Sequence, residues 1–518
     1  MDIKTVVFAY NTELVELRRH FHRHPEESGK EYATVAYIDN YLKALNISTI
    51  NVEDGGLLGI IDSGKPGKTL LMRADIDALP VAESPNNLKC PKVCCSQVPG
   101  FSHSCGHDCH MAMTMIAGKI LAKNKAAWTG KVVLCFERGE EYGANIRYLL
   151  PYLVEKSGLN IDGCYATHVR WDIPAGKVNI QSGAVMAGGL GFSIKLIGTP
   201  GHGSRPDLAN NPIDCFNAIY NDLAACPMRT VNPYDFLTFS IGQLEAGTQI
   251  NVIPGELTFG GTSRFFNLKQ AGQHFLDVLR RSVKHECEIF GCKYEVLRCL
   301  DPLFEVRNNA PLSALCKKAV AKELGQSVFF TPTPWMASES YALYLQEYPG
   351  IMTFTGIANP KTGAGANHHT PEFDIDEAGL TTGVIMMVVT SFLVYICISK
   401  ATWSFLLLAV CSLAPASPMA SVRRASTFMW MSSKATSNLN LPASISAKIF
   451  FSPASIALPS LAEIIPVLAS MKRFQRRNNL IFLRILFNTV LTNQLNGAFI
   501  SFSTTVAQEN PIKAGYLA

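Results

Sequence analysis

Residues 111–136 read MAMTMIAGKILAKNKAAWTGKVVLCF, and the two periodicities in this stretch set the fold class. Met113, Ile116, Ala117, Ile120 and Leu121 recur at the i, i+3, i+4, i+7, i+8 spacing of an amphipathic helix. Lys131 to Phe136 then forms a short apolar run, as a buried strand does. Similar runs lie on either side, Thr69 to Met72 before and Ile161 to Thr167 after. Strands alternating with helices predict an α/β fold whose mostly parallel sheet is flanked by helices.

Working outward, Thr12 to Phe21 has helical spacing, and His24-Pro25-Glu26 must end that helix. Glu31 to Leu45 resumes the 3.6 period. Around Gly188 the texture changes. Phe192, Ile194 and Leu196 alternate with polar neighbours, as in a half-exposed strand. A helical run follows from Pro212, a residue suited to the first helical position. Strands at Phe236 to Ile241 and Leu257 to Phe265, a helix through about Phe290 and a strand at Lys293 to Leu297 complete a β-α-β-β-α-β order. That order is the ferredoxin-like unit. The first pattern then returns with a helix at Leu312 to Leu324, a strand at Ile351 to Thr355 and a core helix at Gly383 to Ile398. Residues 1–187 and 301–398 are therefore expected to form one discontinuous domain, with 188–300 inserted as a smaller α+β domain.

From 399 to 518 there is no Asp, and only Glu463, Glu509, Gly497 and Gly515 of those two types. Such a segment lacks the usual turn and cap residues. It reads as a read-through or frame-shifted extension never selected to fold, against the alternatives of an extra domain or a membrane-associated tail. Trp403 to Ala414 is too short to span a bilayer alone, which takes about 20 apolar residues.

The net charge of +5 over 518 residues, with no basic stripe alternating with aromatics, argues against nucleic-acid binding. Met1 to Tyr10 has no apolar core of a secretory signal, and the 15 Cys form no paired framework. A cytoplasmic location is expected, with no membrane attachment of the first 398 residues.

The chemistry concentrates in Ser102-His103-Ser104-Cys105-Gly106-His107-Asp108-Cys109-His110. Cys105 and His107 can face one cation, because Gly106 lets the backbone fold tightly between them. Asp108 could orient an imidazole as an outer carboxylate. Glu140 and Glu141 follow the strand Lys131 to Phe136; adjacent carboxylates repel unless a cation or proton absorbs the charge. An exposed Glu pair or a lone His after a strand is commonplace by itself. His168, however, closes Ile161 to Thr167, so Asp75, Asp77, Glu141 and His168 all fall at carboxyl ends of successive strands. An open α/β sheet places its ligand crevice there. Asn367-His368-His369-Thr370-Pro371-Glu372-Phe373 adds two more imidazoles on a loop.

Taken in order, Cys-Gly-His-Asp-x-His, the Glu-Glu pair, Thr167-His168-Val169, Gly201-His202-Gly203-Ser204-Arg205-Pro206 and His369-Thr370-Pro371 resemble one family. Leu17 to Glu26, Met72 to Pro80 and Asn251 to Pro254 match it too. It is the aminoacylase/carboxypeptidase type of dimetal amidohydrolase, closest to the hippurate hydrolase and auxin-conjugate hydrolase branch, and the likeness spans about residues 10 to 395. The resemblance implies two divalent metal ions, zinc or manganese, held by Cys105, His107, Glu141, His168 and His369, with Glu140 as general base. His202 would help hold the substrate carbonyl, and Asn251 and Arg264 would touch the substrate. The inserted domain would act as lid and as the contact of a homodimer.

The expected reaction is hydrolysis of small N-acyl amino acids. Alternatives are a dipeptidase or carboxypeptidase using the same dimetal site, or an inactive protein that binds acyl amino acids. Two departures bear on the substrate pocket rather than on the metal centre. Glu137-Arg138-Gly139-Glu140-Glu141-Tyr142 replaces the family's Gln-Pro-Ala-Glu-Glu-Gly, and residues 84–101 carry Cys90, Cys94 and Cys95.

Overall fold

A computed structural model describes residues 2–299 and 301–392. Seven strands make the central sheet: β1 (Ser48–Val52), β2 (Gly56–Asp62), β3 (Thr69–Asp75), β4 (Lys131–Glu137), β5 (Gly163–Pro174), β6 (Val178–Asn179) and, far along the chain, β11 (Gly350–Ala358). Their order is β1-β2-β4-β3-β5-β11-β6. The four central strands β4, β3, β5 and β11 run parallel, while the pairings at both edges are antiparallel.

The helix His107–Lys123 packs under these strands with Met113, Ile116, Ile120 and Leu121 fully buried. Each such side chain contributes about 1.5–3 kcal/mol of burial, enough to hold the helix start, and so His107, in one place. Helical residues 380–392 close the core, with Val384, Met386 and Met387 buried. Gly383 permits that approach: a Cβ there would meet the Met113 sulfur at 2.3 Å. The remainder of the expected helix, 393–398, and all of 399–518 lie outside the described residues.

A second, four-stranded antiparallel sheet consists of β7 (Gly188–Ile197), β8 (Leu237–Ala246), β9 (Glu256–Phe265) and β10 (Lys293–Cys299), ordered β8-β9-β7-β10. Helices Pro212–Arg229 and Gln273–Ile289 pack with it around a core of its own that includes Phe192, Leu196, Phe259 and Phe275. Among the described residues no helix is long and apolar enough to cross a membrane.

One reading changes, and one element is added. The strand expected to stop at Thr167 continues to Pro174, so His168 lies within β5 rather than at its end. The cause is non-local: β11 runs alongside and pairs His168 with Phe354, carrying the ladder onward. The antiparallel β1–β2 edge, joined by a turn at Asp54-Gly55, is an addition to the strands expected from the sequence.

A buried polar cluster ties the first long helix, Asn11–Arg23, to this core. Asp108 receives Arg18 at 2.8 Å and His22 Nδ1 at 2.8 Å, while His22 Nε2 faces Glu83 at 3.0 Å. Asp108 thus orients an imidazole, as expected of it, but that of His22 rather than of a metal-site histidine. Burial opposes the His22 charge, yet a carboxylate at each ring nitrogen holds its pKa above the ordinary value. Burial would raise Glu83 likewise, but hydrogen bonds from His22, the Ser96 amide and Lys92 outweigh it and hold that carboxyl at about 2.

A depressed carboxyl stabilises the fold fully above its unfolded pKa, near 4.3, and loses that stabilisation as the pH falls toward about 2. Glu83→Gln is therefore expected to lower stability by roughly 1.5–3 kcal/mol at neutral pH, the value of charge-assisted hydrogen bonds. The deficit should shrink on acidification. Thermal melts of both proteins across pH check this; a deficit that does not vary with pH contradicts it.

Candidate metal centre

The site forms where β3 and β4 end and the helix His107–Lys123 begins, beside the middle of β5. Gly106 makes the start of that helix possible. Its φ is +88°, and a Cβ would stand 2.4 Å from Val169 Cγ2, so any side chain would push Cys105 and His107 off β5.

His107 Nδ1 lies 2.9 Å from Asp77 Oδ1 and 3.0 Å from the Asp77 carbonyl. Two acceptors at Nδ1 place a proton there, which leaves Nε2 as the ring atom that can face a cation. The buried Nε2 has no hydrogen-bond partner among the described residues. His168 is arranged the same way: Nδ1 meets the Val169 carbonyl at 2.6 Å, leaving Nε2 3.6 Å from Cys105 Sγ. Glu141 Oε1, also buried and without a hydrogen bond among the described residues, stands 3.9 Å from His107 Nε2 and 3.3 Å from His369 Nε2.

Ligands about 2.0–2.3 Å from a tetrahedral ion are about 3.3–3.8 Å apart. Separations of 3.3, 3.6 and 3.9 Å between atoms that make no hydrogen bond to one another, or only a weak thiol contact, fit that spacing. Cys105, His107 and Glu141 offer one ligand atom each within 4.8 Å of one another, and Asp75, His107, His110 and His168 form an adjoining group. This buried cluster can hold two metal ions. Within it His110 has no free nitrogen: Nδ1 meets Asp75 at 2.5 Å, and Nε2 accepts from the Val169 amide at 2.9 Å. It therefore braces β3 against β5.

Charge points the same way. Arg73, 2% exposed, is shared by Asp75, Glu137 and Glu339 at 2.8–2.9 Å. Against this one guanidinium stand the further carboxylates of Asp77, Glu140 and Glu141. Burial, then the nearby Glu339 and Glu141 charges, push the Glu140 carboxyl well up. Cations beside it remove that penalty. Glu140 Oε1 accepts from the Ser340 amide at 3.0 Å, which fixes the carboxyl in the cavity wall.

Of the residues the sequence singles out, Cys105, Glu140, Glu141, His168 and His369 line one cavity of about 180 Å³, alongside Met186 and Trp335. His107 lies behind Glu141, on the same cluster. His202, Asn251 and Arg264 do not line this cavity. His202 is exposed on a short bridge to Val252, its Nδ1 taken by Ser204 at 2.8 Å, and the Gly203 amide donates to the Asn251 carbonyl at 2.8 Å. Arg264 is nearer. Its Nη1 donates to the Ser263 carbonyl, and it lies beside Gly189 with Ser338, a residue of the cavity wall.

Sequence reasoning missed Glu339, Trp335 and the bracing role of His110. Only His110 left a signal, as the third histidine of the Cys105 segment. His368 is buried against Trp335 and Phe373, at ring centroids 4.7 and 4.9 Å away, and serves as cavity wall.

Comparison with known proteins agrees with this geometry. A model described as peptidase family M20/M25/M40 matches residues 71–390. Thermostable carboxypeptidase 2 of Saccharolobus solfataricus is 32% identical over 72% of this chain and 93% of its own length. N-acetylcysteine deacetylase of Bacillus subtilis is 30% identical over 72% and 94% respectively. Among solved structures, the Bacillus subtilis YXEP protein, a dinuclear metal binding peptidase, superposes with a TM-score of 0.62 at 27% identity, covering 75% of this chain and 99% of that one.

Proposed function

Because the chain belongs to peptidase family M20/M25/M40, a family of metal-dependent hydrolases acting on small amide or peptide substrates, we propose that it hydrolyses the amide bond of N-acyl amino acids. The observation that carries this reading is Glu140, a carboxyl anchored at one oxygen in a cavity lined by Cys105, Glu141, His168 and His369.

In this reading Cys105, His107, Glu141, His168 and His369 hold two divalent ions, zinc or manganese. Such a pair polarises a carbonyl and lowers the pKa of a water toward neutrality. Glu140 takes the proton of the attacking water and returns it to the leaving nitrogen. Asp77 and the Val169 carbonyl keep the His107 and His168 rings in the tautomer that presents Nε2 to the site. Trp335 and Met186 wall off solvent on one side. Residues 188–300 act as a lid and as a homodimer contact. His202 then steadies the substrate oxyanion, and Asn251 and Arg264 touch the substrate's polar groups, once the lid or a partner brings them over the cavity. The half-buried Arg264, with no carboxylate partner among the described residues and set beside Ser338, supports its part in this.

The carboxypeptidase among the relatives favours a second reading, in which the same site cuts a peptide bond. A panel of N-acetyl and N-benzoyl amino acids, dipeptides and longer peptides, run with manganese or zinc restored, separates the two. The proposal expects the acyl amino acids to have the highest kcat/KM. Turnover confined to peptides transfers the function to the second reading, and no turnover with metal fully bound leaves a binding protein.

A further inference from the structure

Residues 84–101 take no part in the chemistry above, yet they grip the loop that carries His369. The Ser84 amide and the Lys92 ammonium both donate to the Pro371 carbonyl, at 3.0 and 2.8 Å. The Asn87 side-chain amide donates to Asp374 at 2.8 Å and to the Thr362 carbonyl at 3.0 Å. This grip falls where the backbone needs it. His369 has φ +63°, a left-handed conformation that a non-glycine residue keeps only when its surroundings enforce it, at about 1–3 kcal/mol.

Lys92 also looks the other way. Its side chain is 1% exposed and lies 2.9 Å from Glu83. Glu83 meets His22 at 3.0 Å, and His22 meets Asp108 at 2.8 Å. Asp108 directly follows His107. One buried polar chain therefore runs from the helix start bearing His107 to the loop bearing His369, and Lys92 is its last side chain. Removing the ammonium leaves Glu83 to His22 and the Ser96 amide and leaves the Pro371 carbonyl to the Ser84 amide, so each end keeps a partner but no side chain joins the two any longer.

We propose that Lys92 is a positioning residue for the metal centre, setting the distance between the segment of His107 and the loop of His369. The inference rests on His369 being a metal ligand. A partner that hydrogen-bonds a ligand directly is worth about 10–100-fold in metal affinity or activity, and that range sets the upper bound for Lys92, which acts through the backbone of the His369 loop.

The test loads the full chain with zinc and follows its release to a competing chelator, with kcat and KM measured in parallel. Lys92→Met is expected to weaken metal retention by up to about 10–100-fold and to lower kcat with little change in KM. Lys92→Arg, still able to reach Glu83 and the Pro371 carbonyl, should recover most of both. Parental retention and kcat in Lys92→Met overturn the proposal, as does a loss that Lys92→Arg leaves unrepaired. If Lys92→Met does not fold, Lys92→Gln, which can donate to the carbonyl but not neutralise Glu83, decides by the same two readouts. His369→Ala separates the two layers. Unchanged retention there removes the ligand assignment itself, whereas loss in His369→Ala with none in Lys92→Met removes only the positioning role.

Discussion

Glu140→Gln should bind metal as the parent does and lose roughly 10²–10⁴-fold in kcat, the usual worth of a positioned proton-transfer group. The amide keeps the size of the side chain and can still accept from the Ser340 amide, as Oε1 does at 3.0 Å. What it cannot do is take a proton from water. KM should move little, because Glu140 acts on the water and not on ground-state binding. Stopped assays on N-acyl amino acids, paired with elemental analysis, read both quantities. Parental turnover in the variant removes Glu140 from the role of base. Metal loss in parallel with activity makes it a ligand instead.

How much of this was legible beforehand varies with the range of the interaction involved. The helix at Met113 to Leu121 and the strand before Glu140 announce themselves, because burial stamps a local period on the residues. The second sheet is legible for the same reason, through the alternation of Phe192, Ile194 and Leu196. The length of β5 was not, since its continuation to Pro174 depends on β11, which arrives nearly two hundred residues later. The same division runs through the site. Cys105, His107, Glu141, His168 and His369 are chemically conspicuous side chains, and they converge. Glu339 and Trp335 are ordinary residues in an unmarked stretch, brought to the cavity only by folding. The partner of His107 proved to be Asp77, thirty positions before it, because a helix start turns Asp108 away toward Arg18.

Cys105→Ala is the second substitution with a large expected effect. The thiol is buried, with Sγ 3.6 Å from His168 Nε2, and burial and the Glu141 charge push its pKa well up when no cation is beside it. So placed, a thiolate requires a metal to stabilise it, and the metal in turn loses a ligand when the sulfur is removed. Affinity should fall by more than the roughly 10–100-fold typical of an outer partner, and activity should fall with it. Elemental analysis after dialysis gives the answer: one ion or fewer retained is the expected result, and two ions retained with parental kcat contradicts it. Excess zinc or manganese should restore part of the rate, since His107, Glu141, His168 and His369 remain.

The most direct measurement is anomalous diffraction from crystals of the full chain grown with zinc or manganese. Two strong peaks are expected, with Cys105 Sγ, Nε2 of His107, His168 and His369, and the Glu141 carboxylate about 2.0–2.3 Å from one or the other, and Glu140 left free beside them. Peaks elsewhere, or none among these side chains in a fully active, metal-loaded protein, contradict the account.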